Sequence, residues 1–136
     1  MNEPNEVELA AMKLVSETCF EPLRKHFNKP IGISSFFRSE EVNKAVGGSA
    51  TSAHMFGEAI DIDADIMDNG ITNADIFHYL RENVEFDQLI WEFGDKQNPD
   101  WVHVSYRARG NRKMVLRAVK REEAGVMRTR YIPYLP

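Results

Sequence analysis

Two stretches of the chain contain residues of types that commonly bind metals. In part of each stretch, apolar and polar residues alternate as they do in β-strands. His54 and Asp61 stand seven residues apart in the first stretch, and His103 stands in the second. Apolar residues flank both Asp61 and His103, so in strands these neighbours would face a core while the ligating side chains face the other side of a sheet. Two neutral imidazoles and one carboxylate suit Zn²⁺ and leave a fourth position for water. The pattern therefore predicts a sheet with a hydrolytic zinc site on one face.

The segment between His54 and Asp61 is predicted to be a loop that leads into a strand. A helical H-E-x-x-H motif would place two histidines four residues apart, which this spacing does not do. Gly57 would let the backbone turn close to the metal, and Ser52 could hydrogen-bond to a ligand and orient it. Ligands on a loop and on strands predict a shallow, accessible cleft.

Size and composition predict a single domain. The chain has 136 residues, of which 43% are hydrophobic, and this is enough for a core without disulfides or metals as staples. Its one cysteine, Cys19, has no partner for an internal disulfide and lies among apolar residues, which favours a buried thiol over a nucleophile. We expect residues 1–136 to form one domain that acts as a monomer.

The charge distribution argues against a nucleic-acid partner. The formal net charge is -4, which gives no general attraction to a polyanion. Basic residues nevertheless gather in the C-terminal third, and this basic cluster comprises Arg107, Arg109, Arg112, Lys113, Arg117, Lys120 and Arg121. A solvated surface is the favoured interpretation, and a landing surface for an anionic polymer is the alternative.

The sequence contains no segment typical of export or of membrane insertion. Residues 1–8 are acidic and polar, without the basic and then apolar regions of a secretory signal. No apolar run reaches transmembrane length. We expect synthesis in the cytoplasm and no membrane insertion, so action outside the cell would require a release route that this sequence does not encode.

Three helices are predicted from apolar spacing and capping residues. The first covers residues 7–27, with Pro22 as a kink or a restart. Ser39 is the predicted N-cap of a short helix that ends at two glycines. Thr72 is the predicted N-cap of a helix that runs through Asn83.

Short runs rich in β-branched and aromatic residues predict the strands. They cover residues 31–37, 59–63, 88–92, 102–106 and 114–119, and a surface tail follows over residues 131–136. The first of these strands would deliver Arg38 at its end.

An acidic run after Asp61 resembles a calcium-binding loop only in part. An EF-hand loop needs glycine at its sixth position and glutamate at its twelfth, where this chain has Ile66 and Thr72. The EF-hand interpretation therefore fails. An irregular calcium site that uses acidic residues of the run stays open on general grounds, the candidates being Asp63, Asp65 and Asp68.

The combined motif S-x-H-x-x-G-x-A-x-D and W-x-H resembles the zinc-dependent peptidases of the M15 family, the group of D-alanyl-D-alanine carboxypeptidases and endolysins. The resemblance covers the chain from about Ile31 to Arg117. It implies an α+β fold in which a small antiparallel sheet flanked by helices holds the zinc, as in hedgehog and DD-peptidase domains. It also implies that His54, Asp61 and His103 are the Zn²⁺ ligands.

The resemblance further assigns two catalytic positions. Asp100, three residues before His103, falls on the position of the general base, which would take a proton from water and return it to the leaving amine. Glu92 and Glu58 are the alternatives for this role. Arg38 matches an arginine that meets the substrate, and a guanidinium suits a carboxylate or a developing oxyanion.

The expected function is hydrolysis of an amide bond in the peptidoglycan stem peptide. An aspartate in the base position resembles the phage or prophage endolysins that cleave the L-alanyl-D-glutamate bond. A D-alanyl-D-alanine carboxypeptidase or dipeptidase is one alternative, and a non-catalytic module that binds the cell wall and keeps the metal is another. The resemblance implies a stem-peptide substrate and action on the cell wall after release.

Overall fold

The computed structural model describes residues 2–136, so the first residue of the acidic N-terminal segment lies outside the described chain. The helices of the described part are α1 (Glu6–Val15), α2 (Glu21–Phe27), α3 (Glu40–Ala45) and α4 (Asn73–Asn83). A π-helical turn covers Ser16–Phe20, and 3-10 turns cover Ala53–Phe56 and Ala64–Ile66. The strands are β1 (Gly32–Ser35), β2 (Ala59–Asp63), β3 (Gln88–Glu92), β4 (Trp101–Ser105), β5 (Met114–Glu123) and β6 (Val126–Pro133).

The six strands form one sheet in the order β1-β2-β4-β3-β5-β6. Neighbouring strands are antiparallel except β3 and β5, which run parallel. This arrangement confirms the predicted α+β fold built on a mainly antiparallel sheet. Within residues 2–136, none of the helices combines the length and the apolar content that crossing a membrane requires.

One face of the sheet packs against helices and forms the core. Ile62, Val104 and Trp91 from the sheet join Leu23 of α2 and Phe77 of α4 in one buried cluster. Residues at alternate positions of the same strands point to the opposite face, as the period of two predicts. The polar side chains of β2 and β4 therefore lie on the face that the helices leave free.

The helix predicted over residues 7–27 forms as α1, a π-helical turn and α2. Pro22 stands in the first turn of α2, where its missing N–H matters least. Just before it, the Glu21 N–H donates to the carbonyl of Ser16, five residues back. The π-helical turn therefore lies directly before the helical turn that contains the proline.

Both predicted N-caps are confirmed. The Ser39 hydroxyl accepts a hydrogen bond from the Val42 N–H at 3.2 Å and opens α3. The Thr72 hydroxyl accepts from the Asp75 N–H at 3.0 Å, and the Asp75 carboxylate accepts from the Thr72 N–H at 3.1 Å. This reciprocal capping box fixes where α4 begins.

Asn73, the first residue of α4, ties the end of β2 to the turn before β4. Its side chain is fully buried. Its Oδ1 accepts from the Ala64 N–H at 2.7 Å, while its Nδ2 donates to the Asp100 carbonyl at 3.0 Å. One buried amide thus satisfies backbone groups of two separate segments, which would otherwise be costly to bury.

The C-terminal part of the sheet extends beyond the sequence prediction. The strand predicted over 114–119 continues to Glu123, and after a turn at Ala124-Gly125 the chain returns as β6, which was not predicted. Side chains near the tip are exposed on both faces, so hydrophobic alternation is absent there. Arg130 pairs with Glu123 across the strands. Tyr131, predicted in a surface tail, belongs to β6.

Gly57 lies where the loop after His54 touches α1. Its φ is 73°, in the left-handed region. A Cβ at this position would lie 2.4 Å from the carbonyl oxygen of Glu8 and 2.9 Å from Cγ of Met12. Gly110 has a φ of 72°, but nothing in the described chain lies within 4 Å of the corresponding Cβ. An alanine at Gly110 would therefore add conformational strain alone, whereas an alanine at Gly57 would add both strain and a steric clash.

We predict that Gly57→Ala lowers the free energy of unfolding by about 2–3 kcal/mol, because a backbone clash adds to the left-handed strain. Gly110→Ala is the matched control and should cost only about 1 kcal/mol, the conformational part. Chemical denaturation of both variants measures the difference. Equal losses at the two positions would contradict the tight contact between the loop and α1.

Candidate metal centre and active site

Three side chains from a loop and two strands converge on one point. Asp61 and His103 are directly opposite each other in the β2–β4 pair, so their side chains share a face. His54 reaches this face from the 3-10 turn that precedes β2. One ligand atom from each residue lies within 4.8 Å of the others, and within residues 2–136 these three form the acidic and histidine group that could hold a metal ion. The predicted ligands therefore cluster.

The distances fit a small, tetrahedrally coordinated ion. Oδ1 of Asp61 lies 3.1 Å from Nε2 of His54 and 3.0 Å from Nδ1 of His103. Two atoms that each lie about 2.1 Å from a zinc ion in tetrahedral geometry are about 3.4 Å apart. Small movements of the side chains would thus place all three atoms around one Zn²⁺, and two imidazoles with one carboxylate are a donor set that this ion favours.

His54 makes two contacts that a neutral imidazole cannot satisfy together as hydrogen bonds. Its Nδ1 lies 2.7 Å from the Phe36 carbonyl oxygen, and its Nε2 faces the carboxylate of Asp61. Both partners accept hydrogen bonds, but a neutral ring has only one N–H. A metal ion held by Nε2 and the carboxylate would remove the conflict. The Phe36 carbonyl would then accept a hydrogen bond from Nδ1–H and fix the ring orientation, as carbonyls behind metal-bound histidines commonly do.

The surroundings of Asp61 keep it ionised. Burial by itself raises the pKa of Asp61, but the hydrogen bonds and charges of His103 and His54 outweigh burial and hold the pKa below its ordinary range. His54 and His103 are both buried. An ionised carboxylate between two imidazoles is the state in which these groups bind a cation.

Arg38 lies beside the cluster and is attached to the same loop. Its backbone N–H donates to the His54 carbonyl at 3.0 Å, and its Nη2 donates to the Ser52 hydroxyl at 3.2 Å. Its Nε is buried without a hydrogen-bond partner in the described chain. Ser52 therefore positions Arg38 and the loop backbone, and it does not contact a ligand ring as the sequence had suggested. This Nε–H therefore lacks an acceptor within the described chain.

The predicted base Asp100 lies in the turn before β4 with its side chain exposed. Its N–H donates to the Glu92 carbonyl at 2.9 Å, and its own carbonyl accepts from Asn73. These contacts hold its backbone, and no residue of the described chain hydrogen-bonds to its carboxylate. The role of Asp100 stays a prediction.

Glu58, one alternative base, has a different environment. It is half-buried, and burial raises its pKa, while the charge of Arg107 lowers the pKa and that of Asp87 raises it. The charged groups that act on Glu58 therefore belong to the Arg107–Asp87 pair. None of the three clustered residues is among them.

Glu92, the other alternative, lies on the same face as the cluster. It ends β3, is 6% exposed, and pairs with the β4 position two residues before His103. Burial and the nearby charge of Asp61 raise the pKa of Glu92 to about 8, against the opposing charges of Arg38 and Lys120. Its carboxyl group therefore shares the space bordered by Asp61 and Arg38.

Tyr131 also borders this space, and the sequence analysis did not find it. Tyr131 pairs with Ala118 across β5 and β6, and Ala118 in turn pairs with Glu92, so all three share a face. Burial, then the charges of Glu92 and Asp61, raise the pKa of Tyr131. Finding this residue from the sequence would have required prediction of β6. The charged residues of the β5–β6 hairpin remove the apolar–polar alternation by which a strand is recognised.

The remaining sequence predictions have structural outcomes. Cys19 is fully buried, and burial raises the pKa of its thiol to about 12, which confirms a structural thiol. The Asp63 carboxylate accepts from the Asp65 N–H at 3.0 Å. The acidic residues after Asp61 do not gather into a group that could hold calcium within residues 2–136.

Part of the basic cluster is used inside the protein. The buried carboxylate of Asp87 pairs with Arg112 at 2.9 Å and with Arg107 at 3.5 Å. The hydrogen bond from Arg112 is the main cause that lowers the pKa of Asp87. Two of the seven basic side chains, each about half exposed, therefore pair with a carboxylate just before the start of β3.

Comparison with known families agrees with this geometry. A family model described as Peptidase M15 matches residues 3–105. The matched range is well over half of the chain and contains all three clustered ligands as well as Arg38 and Asp100. A search of curated proteins finds no match. The chain therefore belongs to the peptidase M15 family, whose members are metal-dependent peptidases that act on peptidoglycan-type substrates.

Proposed function

We propose that this protein is a zinc peptidase that cleaves the L-alanyl-D-glutamate bond of the peptidoglycan stem peptide, as endolysins of phage or prophage type do. The observation that supports hydrolysis is the cluster of His54, Asp61 and His103, whose donor atoms converge within 4.8 Å. Family membership supports a peptidoglycan-type substrate. The proposed enzyme acts as a monomer, and its substrate requires action outside the cytoplasm.

His54, Asp61 and His103 would hold the zinc, with Asp61 supplying the one negative charge. Bound zinc would supply Lewis acidity, which makes a water molecule acidic enough to attack an amide at neutral pH. The protein contributes the geometry, because the sheet fixes two ligands and the Phe36 carbonyl orients the third. A rigid ligand set of this kind leaves one side of the site to the substrate.

Arg38 is proposed to bind a carboxylate of the stem peptide or to stabilise the oxyanion that develops on the scissile carbonyl. Its unpartnered Nε–H and its anchoring to Ser52 support this role, since a positioned guanidinium binds an anion without further ordering. A cleft of about 640 Å³ opens next to Arg38 along β1 and α3, although none of the three clustered residues lines it.

The proton from the attacking water needs a carboxylate that accepts it and then returns it to the leaving amine. The resemblance assigns this step to Asp100, which is exposed, and the alternative Glu92 is buried beside the cluster.

We predict that His103→Ala binds zinc at least about a hundredfold more weakly than the original protein, because it removes one of three ligands. Turnover should be lost with it. The matched control is His78→Ala, which changes an exposed histidine of α4 outside the cluster and should keep affinity and turnover. Metal titration and metal content after dialysis measure both. Unchanged zinc binding in His103→Ala would contradict the proposed ligand set.

We predict that the protein cleaves purified muropeptides into smaller products. A chelator should stop this cleavage, and added zinc should restore it. Mass analysis should find cleavage after L-alanine. Release of terminal D-alanine would instead identify a carboxypeptidase, and adsorption to cell walls without any product would identify a binding module. Either result would overturn the proposed bond specificity.

A further inference from the structure

The β5–β6 hairpin borders the face of the sheet that holds the metal centre. Ala118 of β5 pairs with Glu92 on one side and with Tyr131 on the other, so the three residues form a row across that face. Ala118 is fully buried, although it does not belong to the core cluster beneath the helices. Side chains on the metal-centre face therefore cover its methyl group, and the two adjacent strands place Glu92 and Tyr131 beside it.

Tyr131 carries an unused hydroxyl on this side of the hairpin. The residue is 57% exposed, and within residues 2–136 its hydroxyl makes no hydrogen bond. Burial and then the charges of Glu92 and Asp61 raise the pKa of Tyr131, so its phenol lies within reach of the charges of the metal centre. The O–H is consequently a donor that a bound molecule can use.

Lys120 is held on the same face of the hairpin by two contacts. It lies directly opposite Thr129 in the β5–β6 pair. Its Nζ donates to Oγ1 of Thr129 at 2.8 Å and lies 5.1 Å from the centre of the Phe93 ring, which is a cation–π distance. An ammonium group has three N–H donors, and Lys120 forms no ion pair within residues 2–136. Its positive charge therefore remains available to a ligand.

The metal centre lies between two cations. Burial and Asp61 raise the pKa of Glu92 to about 8, whereas the charges of Arg38 and Lys120 lower it. Arg38 follows β1 at one edge of the sheet, the hairpin with Lys120 forms the other edge, and the ligand strands β2 and β4 lie between them. An extended substrate that crosses the metal centre would therefore meet a positive charge on each side.

The proposed substrate carries a negative charge next to the bond that is cleaved. A D-glutamate residue has two carboxyl groups, and only one of them can continue the peptide, so the other stays a free carboxylate. Asp61 is ionised on this face and repels such a group, so the carboxylate requires a cation and hydrogen-bond donors of its own. Charge-assisted hydrogen bonds from an ammonium group and a phenol meet that requirement.

Resting on the proposed zinc peptidase function, we propose that Lys120 and Tyr131 form a subsite for the free carboxylate of the D-glutamate residue, on the leaving-amine side of the scissile bond. The Lys120 ammonium supplies the opposite charge, and the Tyr131 hydroxyl donates a second hydrogen bond that orients the carboxylate. This assignment leaves Arg38 to stabilise the oxyanion on the scissile carbonyl. The hairpin thereby recognises the residue that follows L-alanine.

The experiment uses two synthetic stem peptides that differ only at this carboxyl group, which is a free acid in one and an amide in the other. We expect the original protein to cleave the acid with a KM about tenfold lower, because the amide lacks the charge that strengthens the hydrogen bonds. Lys120→Met should abolish most of this difference without changing the zinc content. Tyr131→Phe, which removes only the hydroxyl, should raise the KM for the acid by about threefold.

Arg121→Met is the matched control. Arg121 follows Lys120 in β5 and is also exposed, but it lies on the opposite face, across from Arg128. Its loss removes the same charge from the hairpin and should leave the preference for the acid unchanged. A Lys120→Met protein that keeps the full preference, or an Arg121→Met protein that loses as much of it, would overturn the subsite.

A binding measurement separates the subsite from catalysis. Analogues of both peptides in which a CH₂ group replaces the scissile N–H cannot be hydrolysed, and calorimetry with the zinc-loaded protein measures their affinities. We expect the acid analogue to bind about tenfold more tightly and to lose this advantage in Lys120→Met. A protein that shows this pattern but hydrolyses neither peptide would refute the proposed function and keep the subsite. A protein that hydrolyses both peptides and binds both analogues equally well would overturn the subsite alone.

Discussion

The pairing of β2 with β4 is the constraint on which the metal centre depends. It sets Asp61 opposite His103 on one face of the sheet. On the other face it buries the apolar residues that neighbour Asp61 and His103 along each strand. A slip of one residue in one strand would move its ligand into the core and its apolar neighbours to the surface. The helices that pack against the core face therefore stabilise the register of β2 and β4. Through this register they set the distance between the two ligands. Only His54 depends on a loop, and the Phe36 carbonyl behind its ring compensates for that freedom.

Much of this arrangement is predictable because the signals are local. Alternation around Asp61 and His103 predicts both strands and the face of each ligand, and the caps at Ser39 and Thr72 predict where helices begin. The three ligands were expected to meet, and they do. What local pattern cannot supply is the order of strands in the sheet, since the parallel contact between β3 and β5 joins segments with no helix between them.

The positions in the fold that the sequence did not predict follow from that missing order. Glu92 ends an apolar run, and its burial beside Asp61 depends on having β4 on one side and β5 on the other. Tyr131 approaches the site only because β6 exists, and the tip of that hairpin is held by backbone pairing and by the Arg130–Glu123 ion pair. Charged residues on both faces of a strand hide the period of two on which prediction depends. The exposed position of Asp100 likewise follows from the turn anchored by Asn73.

The separations along the chain also imply an order of assembly. β3 with β4, and β5 with β6, are joined by short connections, whereas Asp61 and His103 are 42 positions apart. Closing a long loop costs more entropy before its contacts form, so local hairpins tend to precede distant pairings. We expect both hairpins to form early and the contact between β2 and β4 to form late. Zinc binding would then become possible only at the last stage of folding. A chain that stopped folding earlier would have most of its sheet but no metal-binding site.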